Sequence, residues 1–408
     1  MYREQIARLF ERSAFYRRKL NAAGFDSAAA VGGLERIAEL PFTVKDELRA
    51  SQAEDPPLGA HAAIRPEQAA RIYSTSGTSG APCYIPLTRN DLDDWRAIAR
   101  ASYSRSGVQA GELMLTTYNA GPFVAGAALD AFDSLGVTHI PLGTGNTERL
   151  LMALQLLKPH VLVATPSYAM HISERARVQG LKRVLVAGEP GGGEPGFRRR
   201  LEERFGARVY EVMGIGDVAA SLWGECPEQA GMHFSGEGSI HVELVDPDSG
   251  KPVEMKDGAQ GELVYTHLRR EAAPLLRFRS RDHVIVWVSE CKCGNTALRV
   301  RCIGRTDDML IVRGVNVFPS AIREVVGRFQ PRVTGAMVVK PRRRGVRQAP
   351  PLPVVVERGE GDISHEAIRD AIRAALLVTT EVRLVAPRSL PRSEYKSRLV
   401  DFSEAEGG

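Results

Sequence analysis

HVLVATPSYAMHISERARVQGLKRVLVAGEP, residues 160–190, contains two apolar runs on either side of a segment with helical periodicity. The runs HVLVATP (160–166) and KRVLVAGEP (182–190) are rich in Val and Leu and end in Gly or Pro turns, as buried strands do. ISERARVQG (172–180) supplies a helix between them, and FRRRLEERFG (197–206) supplies the next one. A strand, a helix and a strand in this order predict an α/β layered domain.

The loop after the second strand is a candidate ligand-binding edge. In open α/β sheets, ligands bind beyond the carboxyl ends of the strands. Gly188, Glu189 and Pro190 lie in this loop. The sequence therefore predicts that these three residues face a bound molecule.

Helical segments precede this stretch, and short alternating segments follow it. The N-terminal residues read as amphipathic helices, and from Arg71 onward runs of Val, Ile and Leu alternate with helical segments. From about 234 to 290, short alternating segments such as GSIHVELVD (238–246) and GELVYTHL (261–268) are separated by Gly, Pro, Asp and Ser. This alternation of apolar and polar residues between turn residues predicts an antiparallel β subdomain.

A smaller unit follows Gly304. Its segments read in order as strand, helix, strand, strand, helix and strand, which is typical of a ferredoxin-like α+β module. The predicted fold class is therefore α/β, with a large multi-sheet N-terminal domain over residues 1–304, which includes the β subdomain, and a small C-terminal ferredoxin-like domain over residues 305–408. The boundary is expected between 305 and 308.

The composition is that of a globular protein. The chain has 408 residues, of which 43% are hydrophobic and 25% are charged, enough for two domains with large cores. The net charge of +5 is compatible with phosphorylated ligands and does not demand nucleic acid. Charges every few residues at the start exclude a signal peptide, and no later run has the apolar length of a membrane span. We therefore expect a cytoplasmic protein that binds neither nucleic acid nor membrane, whose five cysteines do not form a disulfide framework.

The segment YSTSGTSGAP, residues 73–82, places five Ser or Thr hydroxyls and two glycines within eight residues. Glycine lets backbone N–H groups approach a polyphosphate, and hydroxyls donate to its oxygens. The segment is not a Walker loop, because no Gly-Lys-Ser/Thr follows. On composition alone, a solvated turn between two strands is the more common explanation.

This segment resembles the phosphate loop of the adenylate-forming superfamily, whose usual form is Ser-Ser-Gly-Thr-Thr-Gly-Lys-Pro. An ordered set of further motifs is similar to the phenylacetate-CoA ligase-like branch of that superfamily and covers nearly the whole chain. These motifs are LPFTVKDEL (40–48), GNTERLL (145–151), ATPSYAMHI (164–172), GRTDDMLIVRGVNVFPSAI (304–322) and LPRSEYKSRLVDF (390–402). The ordered set is far more specific than the phosphate loop alone. The resemblance implies that residues 1–304 form an adenylation domain and that residues 305–408 form a mobile domain.

The resemblance also implies a nucleotide site and a path for coenzyme A. Asp282 would accept both ribose hydroxyls, which suits a carboxylate with two acceptor oxygens. Without the family, Asp282 would more often be one end of a surface ion pair. Asp307 would be the hinge of the small domain, and Gly314 would let the pantetheine chain pass close to the backbone. The remaining positions would hold the β- and γ-phosphates of ATP or line the adenine: Ser76, Gly77, Thr78, Ser79, Gly188, Glu189, Pro190, Tyr210 and Glu211.

Three residues correspond to catalytic positions of the family. Lys396 resembles the lysine that sits against the α-phosphate and the attacking carboxylate. Arg305 would contact ribose or phosphate, and Asp217 would hold Mg²⁺ directly or through water. The chain departs from the family pattern at two points, because Ala81 replaces the phosphate-loop lysine and Asp217 replaces a glutamate.

A second constellation consists of Cys226, His233, Cys291 and Cys293. Three thiolates and one imidazole suit a closed tetrahedral zinc site. Two unrelated surface turns with reduced thiols explain the residues alone equally well. Some members of the phenylacetate-CoA ligase-like branch carry such a site, so the resemblance favours a structural Zn²⁺ that ties the loop after Asp217 to the β subdomain.

The resemblance as a whole implies an AMP-forming acid–thiol ligase. With ATP and Mg²⁺ it would activate a small, aromatic carboxylic acid as an acyl-adenylate and pass the acyl group to coenzyme A, and it would form a homodimer. One alternative keeps adenylation but transfers the acyl group to an amine or a carrier-protein thiol. Another is a catalytically weakened nucleotide-binding relative, which Ala81 and Asp217 favour. The sequence does not identify the acid.

Overall fold

A computed structural model of the chain describes residues 1–75, 82–118, 125–143, 145–313, 315–391 and 398–405. The N-terminal part is helical and packs its apolar side against the rest of the large unit through Leu9, Leu20 and Leu276. Its elements are α1 (Tyr2–Arg12), α2 (Ala14–Ala22), α3 (Ala28–Val31) and α4 (Lys45–Glu54), with 3-10 turns at Leu34–Glu39 and Pro66–Gln68. The predicted amphipathic helices are confirmed.

The next part alternates strands and helices. Its elements are β1 (Arg71–Ser74), β2 (Tyr84–Leu87), α5 (Arg89–Ser104), β3 (Leu113–Thr116), α6 (Ala125–Ser134), β4 (Thr138–Pro141), α7 (Thr147–Leu157), β5 (Val161–Ala164), α8 (Pro166–Arg175), β6 (Arg183–Val186), α9 (Pro195–Phe205) and β7 (Arg208–Ile215). Strands β1 and β2 form an antiparallel hairpin that flanks the Ser- and Gly-rich segment. The others pair in parallel in the order β4, β3, β5, β6, β7.

The stretch 160–190 has the predicted order of strand, helix and strand, but the helix lies over Pro166–Arg175, six residues before the predicted start at Ile172. β5 and β6 are parallel neighbours, with Val161 opposite Arg183, and α8 connects them. All four residues of β5 are buried, which explains why the strand is apolar throughout. The loop after β6 therefore lies at the carboxyl edge of the parallel strands.

Beyond β7 the same sheet continues with antiparallel strands. They are β8 (Ala219–Glu225), β9 (Met232–Phe234), β10 (Ile240–Val245), β11 (Gln260–His267), β12 (Phe278–Trp287) and β13 (Arg299–Arg305). The predicted range of about 234 to 290 contains β10, β11 and β12, whereas β8 and β13 lie outside it. The join is β7, because its first half pairs in parallel with β6 and its second half pairs antiparallel with β8. Within the described residues, β3 to β13 thus form one sheet of eleven strands, in the order β10, β11, β12, β13, β9, β8, β7, β6, β5, β3, β4.

The C-terminal unit has its own core. Its elements are β14 (Leu310–Val312), β15 (Val315–Val317), α10 (Pro319–Gly327), β16 (Val333–Val339), β17 (Arg347–Gln348), β18 (Leu352–Arg358), α11 (His365–Leu376) and β19 (Thr380–Val385). Buried residues such as Ile322, Val354 and Ile368 pack together. The order of the predicted segments is confirmed. The first predicted strand pairs with β15 and β17, however, whereas β16, β18 and β19 form a separate sheet.

Within the described part of the chain, no helix combines the length and the apolar character needed to cross a lipid bilayer.

Candidate active site and cysteine–histidine cluster

The loop after β6 is held by partners from two directions. Gly188 has a φ of 97°, a left-handed conformation that favours glycine. The backbone N–H of Ser167 donates to Glu189 Oε1 at 2.7 Å, and the Ser167 hydroxyl donates to the same oxygen. Because Ser167 lies in the first turn of α8, the Glu189 carboxylate is held at that helix N-terminus. Pro190 accepts a hydrogen bond at its carbonyl from the C-terminal unit.

Beneath this loop lies a buried pair of carboxylates on β7 and β8. The backbone N–H of Glu211 donates to Glu225 Oε2 at 2.7 Å, and Arg198 Nη2 donates to both Glu225 oxygens at 2.8 Å. Arg198 Nε also donates to the Gly192 carbonyl at 2.7 Å. A Cβ at Gly193 would lie 2.7 Å from Glu211 Oε2, so the loop rests directly on that carboxyl group.

Burial and the neighbouring Glu225 raise the pKa of Glu211 to about 8. Burial therefore favours the uncharged form of Glu211, which supports the loop from below. Tyr210 is also buried, beside it on β7. Their predicted proximity to adenine stays a prediction.

Asp282, Arg305 and Asp307 form an ion-pair cluster where the large unit ends. Asp282 on β12 lies opposite Arg305 on β13, and Arg305 Nη1 donates to Asp282 Oδ1 at 3.3 Å. Arg305 also holds both oxygens of Asp307, with distances of 2.9 and 2.8 Å. The predicted ribose, phosphate and hinge residues are thus brought together. The guanidinium links the last strand of the large unit to the first turn beyond it.

The charges of this cluster depend on burial. Burial raises the pKa of Asp282 to about 6, against the opposing effect of Arg305. Burial lowers the pKa of the Arg305 guanidinium, but Asp282 and Asp307 outweigh burial and raise that pKa above its ordinary value. Arg305 is therefore a permanent cation, whereas Asp282 changes charge in mildly acidic solution.

We expect kcat/KM for ATP to fall about tenfold per pH unit below about pH 6 and to level off above it. A carboxyl group whose pKa is raised in the folded protein stabilises the fold at low pH. That contribution to stability is lost as the pH rises through the pKa of the folded state. Ribose binding has the opposite sign, because only ionised Asp282 offers all its acceptors. The measurement is the pH profile of ATP-dependent turnover, and Asp282→Asn should lack the inflection. An unchanged inflection in that variant would assign it to another group.

Asp217 lies in the turn between β7 and β8 and is 7% exposed. Lys45, the first residue of α4, donates to Asp217 Oδ2 at 2.6 Å. The other oxygen, Oδ1, is buried and has no hydrogen-bond partner among the described residues. An orphaned carboxylate oxygen of this kind suits a Mg²⁺ ion or its water.

Replacing Lys45 by methionine should lower the free energy of unfolding by about 1–3 kcal/mol, because a buried carboxylate loses its cation. The measurement is chemical denaturation. The double variant Lys45→Met/Asp217→Asn should recover most of the loss. The matched control is Asp46→Asn, since the Asp46 side chain is 87% exposed in its own ion pair. A loss as large in the control as in Lys45→Met would contradict the pairing argument.

The four predicted metal ligands come together in the structure. Their ligand atoms all lie within 4.8 Å of one another. Cys226 Sγ is 3.8 Å from Cys291 Sγ, and Cys293 Sγ is 3.6 Å from His233 Nε2. A tetrahedron with the usual Zn–S and Zn–N bond lengths has edges of about 3.8 Å and 3.6 Å. The residues therefore fit a four-coordinate zinc ion.

The turn that carries two of these ligands is tight. Gly294 has a φ of 80°, and its N–H donates to the Cys291 carbonyl at 2.8 Å. The ligands Cys226 and His233 come from the end of β8 and from β9. The cluster thus ties the segment after β12 to the strand pair that follows Asp217.

Several predicted residues lie outside the described part of the chain. They are Ser76, Gly77, Thr78, Ser79, Ala81, Gly314 and Lys396. The flanks of two of these segments are described. Thr75 N–H donates to the Cys83 carbonyl at 3.0 Å, at the base of the hairpin β1–β2. Val339 N–H donates to the Leu399 carbonyl at 2.8 Å.

Three residues beside the predicted site were not found by sequence reasoning. Lys45 reaches Asp217, Arg198 holds the loop after β6, and Arg323 of the C-terminal unit reaches the same loop. The partners of Lys45 and Arg323 are distant from them in sequence, so local sequence patterns do not indicate these contacts. Arg198 lies six residues from Gly192, but its charged helical context looks like a solvated surface.

The chain is similar to a known domain family and to a known ligase. Residues 314–401 match the family model of the AMP-binding enzyme C-terminal domain. The chain is 34% identical over 416 residues to a phenylacetate-coenzyme A ligase of Thermus thermophilus, covering 95% of this chain and 92% of that protein.

A solved ligase is similar to the chain in three dimensions. 2-Hydroxyisobutyryl-CoA ligase in the postadenylation state, in complex with 2-HIB-AMP, gives a TM-score of 0.89 at 28% identity, covering 98% of this chain and 89% of that one. The same ligase with 2-HIB-AMP and CoA in the thioesterification state gives a TM-score of 0.71 at 29% identity, covering 98% and 88%. The similarity in shape therefore depends on the state of the ligase.

Proposed function

The chain belongs to the phenylacetate-CoA ligase family of adenylate-forming enzymes, and we propose that it activates a small, aromatic carboxylic acid with ATP and transfers the acyl group to coenzyme A. It is an AMP-forming acid–thiol ligase. The observation that carries the site assignment is the cluster of Asp282, Arg305 and Asp307. It joins a predicted ribose acceptor, a permanent cation and the predicted hinge at the junction of the two units.

In the first half-reaction a carboxylate oxygen of the acid attacks the α-phosphorus of ATP. The bond from that phosphorus to the bridging oxygen breaks, and pyrophosphate leaves. Asp282 would hold the ribose hydroxyls and Arg305 would face the ribose or a phosphate. Lys396 would stabilise the charge that develops at the α-phosphate. Asp217 would contribute its unpartnered oxygen to the Mg²⁺ that accompanies ATP.

In the second half-reaction the thiolate of CoA attacks the acyl carbon. The bond from that carbon to the AMP oxygen breaks, and AMP leaves. We propose that residues 305–408 turn as a unit about Asp307 between the two steps, with Gly314 along the pantetheine path. The separate core of this unit supports that division. The higher similarity to the postadenylation ligase supports assigning the described arrangement to the adenylation side of the cycle.

We propose a structural Zn²⁺ at Cys226, His233, Cys291 and Cys293. The inter-ligand distances of 3.6 and 3.8 Å and the donor set support this assignment. When bound, the ion would cross-link the segment after β12 to β9. The four protein ligands would complete the tetrahedron, so the site would leave no position for substrate.

We also propose a homodimer, with the small acid, ATP and CoA as its small-molecule partners. The dimer follows from the family resemblance alone. Light scattering at working concentration would give twice the mass of one chain if it holds and the mass of one chain if it does not.

The test of the function is a pyrophosphate-release screen with ATP, Mg²⁺ and a panel of aryl and short aliphatic acids, with and without CoA. We expect release that depends on an aryl acid, and a CoA thioester with AMP when CoA is present. Release with only aliphatic acids would contradict the aromatic assignment. AMP and acyl-adenylate without thioester would contradict CoA as the acceptor.

A further inference from the structure

Arg323 is a buried cation of the C-terminal unit that bonds to the large unit. It lies on α10, and its Nη2 donates to the Pro190 carbonyl and to Glu194 Oε1, both at 2.6 Å. Its Nε donates to Glu194 Oε2 at 3.3 Å. The Arg323 side chain is 8% exposed and that of Glu194 is 13% exposed. The guanidinium thus makes a two-pronged ion pair with the same loop that is predicted to line the adenine.

A reciprocal contact lies beside it. Arg200 of α9, in the large unit, donates to the Gly327 carbonyl at the end of α10 at 3.3 Å. Both guanidinium groups lie over the ring of Phe197, at 5.5 Å for Arg323 and 5.6 Å for Arg200. A Cβ at Gly327 would come within 3.0 Å of Arg200 Nη1. Helices α9 and α10 therefore meet through one cation from each unit, both close to one aromatic ring.

A buried ion pair at a separable interface has two favourable arrangements. When the units are docked, both charges are paired and hydrogen-bonded, which offsets the cost of removing them from water. When the units part, both charges return to water together. Removing one partner by mutation is different, because the other charge then stays buried and unpaired in the docked arrangement. Such a contact favours one orientation of the units without blocking their separation.

The contact is specific to one arrangement of the units. Hydrogen bonds of 2.6 Å tolerate displacements of only a few tenths of an ångström. The TM-score falls from 0.89 to 0.71 between two states of one related ligase. The turn of residues 305–408 proposed above would move α10 relative to the loop 188–194, and all three bonds of Arg323 would then break.

We propose that Arg323 is a positioning residue that couples the orientation of the C-terminal unit to the loop 188–194. The ion pair with Glu194 forms when that unit is placed for adenylation, and at the same time the bond to the Pro190 carbonyl fixes the adenine-lining loop. It breaks when the unit turns for thioester formation. This inference rests on the proposed function, because it assigns the contact to one of its two half-reactions.

The test separates the two half-reactions in the full-length enzyme. The first is followed as ATP–pyrophosphate exchange with phenylacetate, or with whichever acid of the screen reacts fastest. The second is followed as a single turnover of preformed enzyme-bound acyl-adenylate with CoA. The variants are Arg323→Met, which keeps the length but loses the charge, Glu194→Gln, and Arg323→Lys as the conservative rescue. The matched control is Arg328→Gln, on the same stretch of chain and 62% exposed.

In Arg323→Met we expect exchange to fall at least about tenfold, since truncating one partner of a buried, hydrogen-bonded charge pair has effects of this size or larger. The second half-reaction should be unchanged or faster, because the competing orientation has lost its tie. Glu194→Gln should shift both rates in the same directions, and Arg323→Lys should regain part of the exchange. Arg328→Gln should match the wild type in both.

Equal losses in both half-reactions, or no loss in either, would overturn the coupling while leaving the proposed function intact. Wild-type enzyme that forms no adenylate from any acid would overturn the proposed function, and the coupling with it. If Arg323→Met does not fold, Glu194→Gln and Arg323→Lys decide the question by the same split between the two rates.

Discussion

Replacing Lys396 by alanine should lower the rate of adenylate formation by about 10²- to 10³-fold while leaving ATP binding nearly unchanged. The proposed role of Lys396 is to stabilise charge that develops only in the transition state, and removing one preorganised donor of this kind has effects of that size. The measurement is ATP–pyrophosphate exchange, with ATP binding followed separately by calorimetry.

The anchoring of this segment indicates how the lysine would be delivered. Leu390 N–H donates to Glu357 Oε2 at 3.0 Å on one side of it, and Val339 N–H donates to the Leu399 carbonyl at 2.8 Å on the other. Both anchors belong to the C-terminal unit, so in the proposed cycle Lys396 would move with that unit. Thioester formation from preformed adenylate should therefore be nearly normal in Lys396→Ala.

The matched control is Arg398→Ala, an exposed cation two residues further on. It should keep exchange within about twofold of the wild type, because an exposed charge contributes little. Normal exchange in Lys396→Ala would contradict the catalytic assignment. Equal loss in both variants would point to the segment as a whole.

Replacing Cys291 by serine should remove the bound zinc and lower the free energy of unfolding by about 3 kcal/mol or more. Loss of a structural metal is among the few single changes with effects this large. Cys291 is buried and its Sγ is 3.8 Å from Cys226 Sγ. The wild type should contain one zinc per chain by elemental analysis, and chelation should lower its melting temperature.

Cys302→Ser is the matched control, because this residue lies on β13 outside the cluster. It should keep its zinc. A well-folded wild-type preparation without metal would end the zinc assignment. Full zinc content in Cys291→Ser would show that the ion binds elsewhere.

The strands and helices of the parallel sheet could be predicted from the sequence because their burial gives them a local pattern of apolar residues. β5 and β6 are covered on both faces, and their apolar runs need no long-range information. The sequence did not predict that the antiparallel strands continue the parallel sheet. It depends on β7 changing partners halfway along its length, and no residue type marks that change.

Sequence patterns also predicted some residues of the candidate sites and missed others, because tertiary contacts leave no local pattern. The proximity of Cys226, His233, Cys291 and Cys293 could be predicted because thiol and imidazole side chains are rare and chemically specific ligands. Lys45 and Arg323 were missed because their partners lie 172 and 129 residues away, and a single Lys or Arg on a helix looks like a solvated side chain. Their importance comes from tertiary contacts with Asp217 and Glu194.

The most direct test of the central claim follows an oxygen atom. The acid that reacts fastest in the screen is labelled with ¹⁸O in both carboxyl positions and incubated with enzyme, ATP, Mg²⁺ and CoA, and the products are analysed by mass spectrometry. If the acid is activated as an acyl-adenylate, AMP will carry one ¹⁸O and pyrophosphate none, and one thioester will form per AMP. Unlabelled AMP, or ADP with labelled phosphate, would contradict adenylation.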